Sequence, residues 1–150
     1  MALPLVIHLL GALVWVGGMF FAYVVLRPAS AILEPPQRLT LWAGVLERFF
    51  RWVWPALLAL LASGYWMMFM VFGGFATSGL HIHLMHGLGL LMLLLFLYVY
   101  FLPLRGLRQA VAAADWAVAG ARLGRIRQVV AINLTLGLVV VAIGSGGRYL

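Results

Sequence analysis

Three of the chain's four histidines, His81, His83 and His86, open a long apolar run, LHIHLMHGLGLLMLLLFLYVYFLPL, over residues 80–104. After them roughly 18 residues carry no charge, the length of a bilayer-spanning helix. An ionisable side chain there is cheap only at a watery end, and deeper it needs a partner. At about 100° per residue, His83 and His86 lie about 60° apart on one helix face, while His81 is about 160° from His83. His83 and His86 are therefore the sharper candidates, and Gly87 beside them leaves room. His8, the fourth histidine, shares its face with Gly11, Ala12 and Trp15 by i+3, i+4 and i+7 spacing. Imidazoles opposed across a helical bundle are the usual axial pair of a b-type haem. Imidazole with thioether instead selects soft Cu(I), and Met67, Met68 and Met70 lie in the next apolar run, with Met85 beside the histidines. Met67 and Met68 point about 100° apart, so the three cannot all serve one ion.

The elements that must position these groups follow from composition. Of 150 residues, 66% are hydrophobic and 9% charged, which excludes a soluble domain and predicts an all-α, polytopic membrane protein. Four apolar runs predict spans at about residues 3–26, 49–72, 80–104 and 126–144. Together they form one transmembrane domain over 1–150, an up-down four-helix bundle. The first run lacks a basic n-region and is long for an h-region, so it reads as a retained helix rather than a signal peptide. Pro55 falls inside the second run, where it is expected to kink the helix. The stretch from Leu107 to Gly124 reads as an amphipathic helix on the membrane surface. The absence of cysteine excludes disulfides and thiolate ligands.

The net charge of +7 comes from arginines clustered between apolar runs. They read as topology signals and lipid contacts, not as a nucleic-acid surface. Arg27, Arg38 and Arg48 lie between the first two runs with Arg51 just inside the second, and Arg105, Arg108, Arg122 and Arg125 lie between the last two with Arg127 just inside the fourth. The link between runs two and three carries no charge. The positive-inside rule then places both arginine segments in the cytoplasm and both termini outside, in a bacterial inner membrane. This brings His8 and His83 or His86 to one depth near the outer leaflet, on helices diagonal in the bundle. Arg148 is the cation at that mouth, positioned for a haem propionate. Asn133 is expected to make an interhelical hydrogen bond. Gly137, Gly144 and Gly147 suggest a close-packing ridge and a homodimer.

The opening helix HLLGALVWVGGM, residues 8–19, followed by LRPA and EPPQRL, resembles the small four-helix members of the copper-resistance protein D (CopD) family. HLMHGLGLLM, residues 83–92, and Arg127 with Asn133 are similar to the same family. A histidine seven residues before a tryptophan also resembles the HemJ-type haem-binding protoporphyrinogen oxidases. That likeness implies His8 and His83 as haem ligands. Leu134 after Asn133 and the lack of lysine set the chain apart from those oxidases. The CopD resemblance implies copper handling.

The expected function is thus an inner-membrane b-type cytochrome with an electron-transfer or oxidoreductase role and an unidentified redox partner. The cofactor-binding residues would be His8, His83, His86, Gly11, Trp15, Gly87 and Arg148. The alternative is copper binding or transport, fed by a copper donor and using His8, His83 and His86, with Met67, Met68 and Met85 as weaker ligands. A second alternative is an accessory subunit without cofactor. No catalytic residue is assigned.

Overall fold

A run of apolar residues in lipid must satisfy its backbone internally, and here it does so as helix throughout. The computed structural model describes residues 2–147. Among them there is no strand, and four helices are long and apolar enough to cross a membrane: α1 (Ala2–Ile32), α2 (Pro35–Met70), α3 (Leu80–Ala112) and α4 (Trp116–Gly146). They form an all-α up-down bundle in which α1 packs chiefly on α2, and α3 on α4. Large apolar side chains such as Leu9, Leu13, Leu58, Leu94 and Ile132 cover its outside, the surface a bilayer solvates.

The helices run well past the apolar stretches. Only Leu33 and Glu34 separate α1 from α2, so Arg38, Arg48 and Arg51 are helical and not in a loop. Glu34 is held extended (φ −59°, ψ 149°) because the following proline disfavours the helical region. Pro35 and Pro36 then start α2, where their missing N–H groups cost nothing. Buried Ser30 accepts a 3.0 Å hydrogen bond from Trp42 Nε1 and ties the two helices at this end. The helix continues unbroken through Pro55. α1 has two π-helical stretches, Leu13–Gly17 and Phe21–Leu26, and the first carries Trp15.

Between α2 and α3, Gly73 (φ 76°) and Gly74 (φ 101°) adopt a left-handed backbone that a side chain would strain. α3 changes direction at Leu102 (φ −109°, ψ −82°), just before Pro103. The surface helix expected over Leu107 to Gly124 is not one element. It divides at Ala113–Asp115, and its second half is the first part of α4. Asp115 makes that start, its Oδ1 accepting from Val118 N at 3.1 Å.

The core is aromatic. Phe96 of α3 meets Trp15 of α1 (ring centroids 6.1 Å apart) and Phe50 and Trp54 of α2 (5.4 and 5.1 Å), each edge to face. Asn133 Nδ2 donates to Met92 O at 3.4 Å, the interhelical bond expected of it. Of the α4 glycine ridge Gly137 is buried, while Gly144 is exposed beside Met85. A Cβ on Gly137 would lie 2.9 Å from Val16, and one on Gly144 3.0 Å from Met85. Gly137 therefore serves packing within the bundle.

Candidate functional site

On the side of the aromatic core away from the arginines lies a cavity of ≈ 180 Å³, walled by all four helices. α1 supplies His8, Ala12 and Trp15, and α3 supplies Met85, His86, Gly89 and Met92. α2 contributes Gly64, Tyr65, Met67 and Met68, and Gly137 belongs to α4. Its polar side-chain atoms come from two imidazoles, a phenol and an indole, beside four thioethers, with no carboxylate in the lining.

His8 is held by α2. Its Nδ1 lies 3.0 Å from Ser63 Oγ. Ser63 is buried in an apolar helix, and its hydroxyl donates back to the carbonyl of Ala59. A hydroxyl has one proton to give, so towards His8 it can only accept. With the serine proton on Ala59 O, the matching tautomer of His8 carries its proton at Nδ1 and keeps the Nε2 lone pair. A hydrogen bond on one ring nitrogen that leaves the other open as a ligand is the usual outer-shell arrangement of a metal-binding histidine. Gly64 makes the close approach possible, since a Cβ there would lie 3.2 Å from His8 Cε1.

His86 is held by the same helix from the other side. Its Nε2 is 2.9 Å from the Tyr65 hydroxyl, and its ring meets Tyr65 and Phe75 edge to face. Ser63 and Tyr65 are separated by about 3 Å along α2, so the two histidines they hold lie at closely similar depth. Their side chains leave the helix about 200° apart, one towards α1 and one towards α3.

Not every expected residue joins them. His83 is exposed outside the cavity and stacks on Phe75, 6.4 Å between centroids. His81 is half-buried where α4 ends, its Cβ 2.7 Å from the position of a Cβ on Gly147. Gly11 is not in the cavity wall but sets the α1–α2 contact, and a Cβ there would meet Ala56 O and Leu60 at 2.9 Å. Gly87 is exposed with nothing near its missing Cβ, and Gly89 lines the cavity instead. Met67, Met68 and Met85 line it as expected of weaker ligands, while Met70 is 71% exposed. Arg148 lies outside the described residues. Ser63, Tyr65 and Met92 were not anticipated as site residues. The available signal for Ser63 was a hydroxyl inside an apolar run, which must find a partner there.

Among the described residues no three of His, Cys, Asp and Glu group as a metal site, so any ion here depends on two imidazoles and thioether sulfur. Such a set is soft and neutral, suited to a monovalent soft cation. A family profile described as Copper resistance protein D matches residues 43–146, from early α2 to the end of α4. No curated protein and no solved structure matches the chain. With more than half its length matched and four helices able to span a bilayer, the chain is a multi-pass membrane protein of the copper resistance protein D family.

Proposed function

We propose that the protein handles copper in a bacterial inner membrane, taking Cu(I) as cargo at His8 and His86 with help from Met67, Met68, Met85 and Met92. The observation that carries this reading is the lining of the cavity: imidazole and thioether donors without a carboxylate, in a chain of a copper-resistance family. A bare cation in an apolar bundle is costly unless its ligands replace water. Imidazole nitrogens supply the stronger bonds and thioethers the weaker, adaptable ones, a combination from which the ion can leave again. The donor of copper to this site is an unidentified partner.

The haem reading has less support than copper. Its ≈ 180 Å³ falls below the roughly 300–1,000 Å³ of pockets that enclose organic ligands. His83, the paired ligand implied by the HemJ likeness, is outside it.

Protein purified without oxygen is titrated with Cu(I) against a chromophoric chelator. The expected result is one tightly held Cu(I) per chain, weakened at least about tenfold by His8→Ala or by His86→Ala and unchanged by His81→Ala. A Soret band in the purified protein, or equal copper affinity in all the variants, overturns the reading.

A further inference from the structure

We propose that the arginine-rich end of the bundle contains a second site, for a phosphate-bearing anion, built by Arg27, Arg38 and Arg127. The three residues come from three helices, the end of α1, the first turn of α2 and the first half of α4, and converge on a cleft of ≈ 390 Å³. No carboxylate lines it. The single ion pair among the described residues, Arg108 with Glu47 at 3.4 Å, lies elsewhere, and Glu34, the nearest acid in sequence, makes none. Three guanidinium groups facing one space repel one another, and an anion between them reverses the sign of that interaction.

Their placement is fixed by packing. Arg27 lies over the Tyr23 ring at 4.8 Å, and Arg127 over the buried Trp42 ring at 5.6 Å. Arg38 Nη1 donates to Leu33 O at 3.3 Å, which leaves its other donors free. Arg127 Nε is buried and has no hydrogen-bond partner. Arginine forks match phosphate oxygens two at a time, and three forks from different directions suit a tetrahedral oxyanion better than a flat carboxylate. The phosphate has two possible sources, the headgroup of an anionic lipid in the adjoining leaflet or a soluble phosphate compound. The site is separate from the copper cavity: Arg27 is nineteen residues beyond His8 on α1, roughly 28 Å along the helix.

The test is native mass spectrometry of the detergent-purified protein with phosphatidylglycerol or phosphatidylcholine, paired with thermal unfolding in inorganic phosphate. Phosphatidylglycerol retained about tenfold over phosphatidylcholine, and lost in Arg38→Gln/Arg127→Gln but not in the exposed-arginine control Arg51→Gln/Arg105→Gln, is the result expected of a lipid headgroup. Stabilisation by millimolar phosphate that displaces the lipid supports the site with a soluble phosphate ligand instead. Equal retention of the two lipids with no phosphate effect, or equal loss in both double variants, overturns the site. Should Arg38→Gln/Arg127→Gln fail to fold, the lipid preference and phosphate response of the unmutated protein decide the question alone.

Discussion

Which nitrogen of His8 carries the proton depends on a serine of another helix, 3.0 Å from Nδ1. When Ser63 gives its proton to Ala59 O, His8 Nδ1 donates to Ser63 and Nε2 stays open. Removing the hydroxyl with Ser63→Ala leaves the ring free to turn and to change tautomer. Cu(I) affinity is expected to fall about 10- to 100-fold, the usual effect of losing such an outer-shell partner, and Ser63→Thr should restore it. Chelator competition on the three proteins checks this, and unchanged affinity in Ser63→Ala removes the tautomer argument. This level of the site was only partly legible in the sequence. His8, Trp15 and the methionines could be gathered by helical spacing and by depth. The choice between His83 and His86 could not, because about 60° on one helix face separates them and the deciding contact comes from Tyr65. The register of α2 against α3 is a tertiary fact that no local pattern encodes. The family match begins at residue 43, so His8 and all of α1 lie outside it, and the role of His8 rests on geometry.

At the scale of elements, the four membrane runs were legible because lipid demands long uncharged helices. Helix ends were not, because hydropathy marks where the bilayer stops and not where the helix stops. Arg38 and Arg48 precede the second apolar run, yet with Arg51 they occupy the first half of α2, whose start signal is Pro35-Pro36. Likewise Asp115 signalled a cap in the middle of what had read as one surface helix. The closeness of α1 to α2 depends on Gly11, where a Cβ would press on the Ala56 carbonyl, a backbone atom that cannot turn aside. Gly11→Ala is therefore expected to cost about 1–3 kcal/mol and to lower the unfolding temperature in detergent. Gly120→Ala, on an exposed face of α4 with open space around it, should be neutral or stabilising by up to about 1 kcal/mol. Equal effects of the two substitutions remove the close-packing argument.

For the molecule as a whole, sidedness follows from charge and length together. α2 has 36 residues, which at 1.5 Å each make roughly 54 Å, against a hydrocarbon core of about 30 Å. The excess must project, and the arginines mark where. Arg108 reaches Glu47 of α2, Arg125 donates to Tyr98 of α3 at 3.1 Å, and Arg122 lies against Gly106, so the charged parts of α2, α3 and α4 meet at one end. The opposite link, residues 71–79, has no charged side chain. Positive charge in short connections stays on the cytoplasmic side. A fluorescent reporter joined after Ala113 should therefore light up, and an export-dependent phosphatase joined after Ser78 should be active. That outcome puts the cavity lined by His8 and His86 in the outer half of the membrane, where the copper proposed for it would load from the periplasm, and the three-arginine cleft against the anionic inner leaflet. Activity of the two reporters in the reverse pattern keeps both sites but exchanges their compartments: the cavity would then take copper from the cytoplasm, and the cleft would face a leaflet or solution on the outside.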